Sequence, residues 1–287
     1  MARPSLRRRR LAGALRGLRE AAKLDTRQAA ERAGWSQGKV HTIETMKVGI
    51  NGDDTHVLCK VYGADQPTID ALVRLAREAR RKGWWHVYDD EVLDQFADFI
   101  ELEEDARRVC EFEADVIPGA LQTEGYASAV IGRVSPAIDG ETIAQRVAVR
   151  MQRQERILAS DTELQVVIDE AAILRPVGGR VVMAEQLDHL ISVAARPRVS
   201  VQVLPLDVKG HAAMGLPFTL ISLRDGAEYV YRDSARGGSY SEEPQDIEAY
   251  RRLWAGVQVM ALDLDRSSTI LERTADQHRS ATNDDHP

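Results

Sequence analysis

LDTRQAAERAGWSQGKVHTIETMK, residues Leu24–Lys47, sets the plan of the amino-terminal part of this chain. It divides into two short helices joined by a tight turn. Thr26 is placed to cap the first helix through its hydroxyl. Ala29, Ala30 and Ala33 form a narrow apolar stripe, small enough for another helix to approach closely. Gly34 supplies the residue that takes positive φ where this helix ends. Ser36 then caps a second helix, whose Val40 and Ile43 fall on one side at i and i+3. Gln37, Gly38, Lys39, His41 and Thr42 are left facing outward. Such a corner is a helix-turn-helix, which lays its second helix in the major groove of double-stranded DNA. Hydrogen-bonding side chains on that helix meet base edges and phosphates.

The flanks support a compact all-α domain. Upstream, Leu11, Leu15 and Leu18 line one face of an amphipathic helix over Leu6–Leu24. Arg7, Arg8, Arg9, Arg10, Arg16 and Arg19 occupy its other face. Downstream, Val57, Leu58 and Val61 point inward from Thr55–Tyr62, and Ile69, Leu72, Val73 and Leu75 from Gln66–Lys82. Five short helices therefore fill residues 1–83. Charge is divided unevenly. The whole chain carries −7, yet residues 1–83 hold 18 Lys+Arg against 9 Asp+Glu, a net of +9. A basic domain neutralises phosphates and releases counterions, so this asymmetry is an electrostatic footprint for DNA. The Arg7–Arg10 run reads either as a solvated terminus or as an arm lying along phosphates.

The stretch LRGLREAAKLDTRQAAERAGWSQGKVHTIE resembles the Xre family, the Cro and phage-repressor type of helix-turn-helix, over about Leu11–Leu75. The resemblance implies a lambda-repressor-like fold in which Gln28 contacts phosphate and Gln37, Gly38 and His41 face bases. It places Lys39 and Thr42 at the backbone or groove wall. Thr42 stands where a long basic residue is common, and Gly38 where a small polar one is common. From the residues and the resemblance together, Gln37, Lys39 and His41 are the candidates for base contacts. Gln28, Thr42, Lys47 and Arg7, Arg8, Arg9 and Arg10 are the candidates for phosphates, with Ser36 as the cap that orients the reading helix.

At 287 residues, with 44% hydrophobic and 29% charged residues, the chain is expected to be a multidomain soluble protein. No apolar run is long enough to span a membrane, and the basic amino terminus is followed by no apolar core of a secretory signal. Cys59 and Cys110 read as buried thiols of a cytoplasmic protein. No His or Cys pair has metal-ligand spacing, and no cofactor is expected.

The second domain is expected over residues 88–273, with a disordered tail over 274–287. The adjacent Trp84 and Trp85 mark the join. A helix over Leu93–Val109 carries Glu101, Glu103, Glu104 and Asp105 on a solvated face. A strand over Cys110–Val116, a turn at Pro118-Gly119 and a helix opened by Thr123 follow. Gln145–Leu158 is a helix with Val147, Met151 and Leu158 inward, and with Arg146, Arg150, Arg153 and Arg156 as neighbours on one side. That side is either a salt-bridged face or a surface for an anion or acidic partner. Further strands are expected at Leu164, Val199–Leu204, Phe218–Leu223 and Glu228–Arg232, with helices over Met183–Ala195 and Pro244–Leu262. The last two strands flank the hairpin turn Arg224-Asp225-Gly226. This order describes an α+β domain around a mixed sheet.

The phrases IPGALQTEGYA, RMQRQERIL, VIDEAAILRPVGG, EQLDHL, VSVQVLP and GLPFTLIS to YVYRD resemble the domain of unknown function in actinobacterial WhiJ-like, antitoxin-like regulators. Ala120 stands where a second Leu is common, and Asp233 where Glu is common. The resemblance implies pairing with a small acidic protein, and a homodimer is expected because one reading helix covers too few base pairs. An antitoxin-like protein that sequesters such a partner, binding DNA only for autoregulation, is the alternative to a transcriptional regulator. No nucleophile elbow, zinc-protease pair or phosphate loop is present, so no enzyme activity and no catalytic residue are expected. A ligand or partner pocket in the second domain would be lined by Arg150, Arg153, Arg175 and Tyr231.

Overall fold

A computed structural model describes residues 5–81, 83–87, 96–134, 138–233 and 238–284, with side chains to residue 281. The chain divides into two compact units, Met1–Val87 and Tyr88–Pro287.

The first unit is the five-helix domain the sequence suggests: α1 Leu6–Ala21, α2 Thr26–Ala33, α3 Gln37–Glu44, α4 Gly52–Val61 and α5 Gln66–Glu78. Its core joins Leu11 and Leu15 of α1, Ala29 and Ala30 of α2, and Val40 and Ile43 of α3 to Leu58, Cys59, Ile69, Leu72 and Leu75. On α4 the inward face differs from expectation. Val57 is exposed while Leu58 and Cys59 are buried. Asp25, not Thr26, caps α2: its carboxylate accepts from Gln28 N, and Gln28 Oε1 accepts from Asp25 N in a reciprocal capping box. Thr26 becomes the first helical residue, and its hydroxyl accepts from Gln37 Nε2 at 3.2 Å. Gly34 ends α2 at φ 70, ψ 28, the left-handed conformation that costs a side-chain-bearing residue about 1–2 kcal/mol. A Cβ there would meet nothing within 4 Å, so Gly34→Ala carries strain without a clash. Its expected loss of about 1–2 kcal/mol is checked by thermal unfolding of the full chain. A single 3-10 turn, Trp84–Val87, follows, with Trp84 and Trp85 edge to face at 5.7 Å.

The second unit contains α6 Ala97–Asp105, β1 Ala106–Glu113, α7 Glu124–Val134, α8 Gly140–Ala159, β2 Glu163–Asp169 and α9 Glu170–Leu174. It continues with α10 Arg180–Ala194, β3 Val199–Leu204, β4 Phe218–Leu223, β5 Glu228–Arg232, β6 Ser239–Ser241, α11 Pro244–Met260 and α12 Leu264–Asp284. The six strands form one mixed sheet in the order β3-β2-β1-β4-β5-β6. β1 is parallel to β2 and antiparallel to β4. Gly226, at φ 90, turns the β4–β5 hairpin. The edge strand β3 is blunted: Val203 N donates to Ser267 Oγ, and Leu262 N donates to Val203 O.

Further expectations are corrected. The helix expected over Leu93–Val109 ends at Asp105, because the alternating run from Ala106 pairs as β1; residues 93–95 lie outside the described ones. Glu101 and Glu103 of that helix are buried, not solvated. Residues 274–284 continue α12 where a disordered tail was expected. Ser267, Ile270, Leu271, Thr274, Ala275 and His278 are buried at helical spacing, a stripe hidden from composition by its small polar members. In α8 the residue buried near the end is Ile157, with Leu158 only half-buried.

The two faces of the sheet differ. Cys110, Phe112, Val167, Phe218, Leu220 and Val230 share one face and pack on Ile247 and Val257 of α11. Val109, Glu111 and Glu113 alternate to the other face, on which α6 lies against β1 and β4 and α8 packs on α6.

Candidate nucleic-acid interface

Ser36 Oγ accepts from Lys39 N and so caps α3 as expected. Val40 and Ile43 are buried, whereas Ser36, Gln37, Gly38 and His41 are exposed and Lys39 and Thr42 are half-buried. The outward face of the second helix of the corner is thus polar and open. Gly38 has nothing within 4 Å of a Cβ position, which leaves its backbone open to close approach.

The polar residues of this face are partly committed. Lys39 Nζ lies 3.1 Å from Asp54 Oδ1 and 3.5 Å from the centre of the Trp35 ring. That grip holds the ammonium at the side of the helix, beside α4. Gln37 reaches back to Thr26. Thr42 Oγ1 donates to Lys39 O within its own helix. Gln28 uses its carbonyl oxygen in the capping box and keeps its amide donors at the exposed start of α2. Lys47 is exposed just past α3.

The arginine run of α1 departs from expectation. Arg7 is buried, so it is withdrawn from the solvated face on which the sequence placed it. Arg8 Nη2 donates to Met46 O at 3.3 Å, across to the segment after α3. Arg9 and Arg10 are half-buried. Arg16 and Arg19, on the same face as the run, turn out to hold α3 in place. Arg16 Nη2 donates to Glu44 O at 2.9 Å. Arg19 grips the Glu44 carboxylate through Nε at 2.8 and 3.1 Å and through Nη2 at 2.9 Å, and its Nη1 donates to Leu24 O. Glu44 is 3% exposed. The Glu44 hydrogen bonds hold the Arg19 guanidinium above its ordinary pKa. Burial, the Glu44 charge and a hydrogen bond to Glu44 push Tyr62 well above the usual phenol range. This lock was not read from the sequence. An arginine on a basic helix face looks solvated until its carboxylate partner, 25 residues on, is known to be buried beside it.

A model described as a helix-turn-helix domain matches residues 10–72, spanning all of α2 and α3. A second model, the domain of unknown function DUF5753, matches residues 96–273, more than half of the chain. The chain belongs to the DUF5753 family. No curated protein and no solved structure matches it. The amino-terminal unit is therefore a helix-turn-helix domain, which points to a DNA-binding regulator, and the DUF5753 unit carries the mixed sheet. No helix among the described residues is long and apolar enough to cross a membrane.

In the DUF5753 unit, three of the four residues expected at a pocket come together. Arg153 Nε lies 2.7 Å from Glu103 Oε2, and its guanidinium carbon is 5.1 Å from the Phe99 ring centre. Phe99 in turn packs on Tyr231 at 4.2 Å, and the Tyr231 hydroxyl donates to Asp233 at 2.6 Å. Arg150 Nη1 donates to Gln122 Oε1. Burial lowers the Arg150 pKa to about 10, with the Arg153 charge acting the same way. Arg175 stands apart, in an exposed pair with Asp115 at 3.4 Å. Among the described residues no group of side chains is arranged to hold a metal ion. The thiols are buried, and burial pushes Cys59 up to about 11 and Cys110 up to about 12.

Proposed function

We propose that this chain is a sequence-specific transcriptional regulator of the Xre/Cro kind. It binds double-stranded DNA as a homodimer in the cytoplasm, with no catalytic activity. One observation carries the reading: α3 turns an uninterrupted polar face to solvent while its opposite edge is locked to α1 through Glu44 and Arg19. A reading helix needs such a fixed pose, because base-edge hydrogen bonds tolerate little angular error. Gln37 and His41 are the base readers, with Gly38 letting the helix backbone come close. Lys39, held beside α4, serves the groove wall and exchanges Asp54 for phosphate on docking. Gln28, Thr42 and Lys47 position the domain on phosphates, joined by Arg8, Arg9 and Arg10 of the basic run. The DUF5753 unit supplies the dimer contact and an effector site, since a single reading helix covers too few base pairs.

The test is a double substitution, Gln37→Ala with Lys39→Ala. Both side chains lie outside the core, so the fold should persist by circular dichroism. Specific retention of an operator duplex in a gel shift should be lost. Retention equal to wild type would show that α3 does not read DNA.

A further inference from the structure

We propose that the helix-covered sheet face around Glu111 binds a small organic cation, a primary ammonium or guanidinium group on an apolar body. This deepens the regulator reading by naming its effector class, and it rests on that reading only for the consequence at DNA.

The residues follow from strand register. Glu111 on β1 stands opposite Thr219 on β4, and Thr219 opposite Tyr231 on β5. These three therefore form a row across one face. Glu111 is 6% exposed and Thr219 is 5% exposed. Neither side chain has a hydrogen-bond or ion-pair partner among the described residues. A carboxylate and a hydroxyl side by side in residues so little exposed, neither with a partner among the described residues, keep hydrogen-bonding capacity for a bound group. Glu113 follows Glu111 on the same face of β1 and also lacks a hydrogen-bond or ion-pair partner among the described residues.

The surroundings select the sign and shape of the ligand. Glu103 from α6, Glu111 and Glu113 from β1, and Asp233 after β5 face Arg150 and Arg153 from α8. Carboxylates outnumber guanidiniums there. Arg153 is already neutralised by Glu103, and Arg150 is turned to Gln122. Burial and the neighbouring carboxylates hold the Glu113 carboxyl well above the ordinary range, so a negative surplus arises only above the value of about 7 to which Glu103 and Glu111 are raised, and Glu111 on β1 is its unpartnered member among the described residues. Phe99 and Tyr231 provide an aromatic wall on this face for the apolar body, with Arg153 already over the Phe99 ring. Among the described residues the carboxylates are not grouped as metal ligands.

Burial, with the charges of Glu103 and Asp233, pushes the Glu111 carboxyl up to about 7 against the opposing pull of Arg153 and Arg150. Cation binding should therefore weaken as pH falls through that value, since a protonated Glu111 offers no charge.

The experiment is calorimetric titration of the full chain, without DNA, using benzylamine, phenylguanidine, agmatine and 1,4-diaminobutane. Benzyl alcohol and benzoate are the neutral and anionic controls. At least one cationic probe should bind saturably at pH 8, and at least tenfold more weakly at pH 5.5. Both controls should stay silent. Glu111→Gln should weaken the binding at least tenfold and Thr219→Val severalfold, each with the circular dichroism of wild type and unchanged operator retention. The proposal is overturned if no cationic probe binds at millimolar concentration, if a control binds as well, or if both variants bind like wild type. Failure of operator binding alone would overturn the regulator reading and leave this result standing.

Discussion

Replacing Glu44 by Ala is expected to destabilise the helix-turn-helix unit by about 3–5 kcal/mol. The carboxylate is 3% exposed and receives three contacts from Arg19 and one from the Tyr62 hydroxyl. Its removal leaves a guanidinium whose side chain is 11% exposed with only the exposed Glu20 carboxylate, 3.6 Å from its Nη2, as counter-charge. That poorly compensated charge costs far more than the pair itself contributes, because two charges taken from water roughly cancel their mutual attraction. Arg19→Met together with Glu44→Leu should therefore cost much less than either single change. In a unit of this size the single variant should lower the melting temperature by more than about 10 °C. Scanning calorimetry of the full chain measures that loss. Amide exchange localises it, with protection falling first in α3. A Glu44→Ala variant within about 0.5 kcal/mol of wild type would mean that α3 is held by Val40 and Ile43 alone.

Glu111→Gln is expected to act in the opposite direction and stabilise the chain. Burial raises the folded-state pKa of Glu111 from its ordinary 4.5 to about 7. A carboxyl so raised holds its proton more tightly folded than unfolded, so its cost is absent below about pH 4.5. The cost accumulates as pH rises to about 7 and is constant above. The gain on substitution should be on the order of 2–3 kcal/mol at pH 8 and should fade toward zero near pH 4.5. Chemical denaturation of wild type and variant at those two pH values measures it. A destabilised variant at pH 8 would assign Glu111 a structural role and remove the reason to see a vacant charge there. Stabilisation accompanied by loss of cation binding is the pattern of a residue kept for function at the expense of the fold.

The helical half was readable because its signals are local. Ser36, Gly34 and the Val40–Ile43 pair act within one turn of themselves, and all three do what their sequence positions suggest. The error at Thr26 came from choosing between adjacent capping residues; the reciprocal bond between Asp25 and Gln28 settles it, and that pair is itself visible in the sequence. Strands β3, β4 and β5 were readable from β-branched runs bounded by Pro205 and by the Arg224-Asp225-Gly226 turn. What stayed hidden is long-range. Arg19 and Glu44 look like solvent residues one by one, and only the packing of α1 on α3 pairs them. Glu111 and Glu113 alternate with Cys110 and Phe112, a pattern that normally sends charged residues to water. Here α6 and α8 cover that face, so alternation placed the side chains on the correct side without revealing that the side is buried. The small polar stripe of α12 hid for a similar reason: Ser267, Thr274 and His278 do not look like a core.

The most direct test is selection of duplexes from a random library by the full chain, followed by anisotropy titrations of the enriched duplex across about 50–200 mM salt. One enriched sequence should emerge, with two half-sites about one helical turn apart, and its affinity should fall steeply as salt rises. The Gln37→Ala, Lys39→Ala variant should fail to enrich it. No enrichment, or enrichment of the same sequence by that variant, would contradict a reading helix at α3.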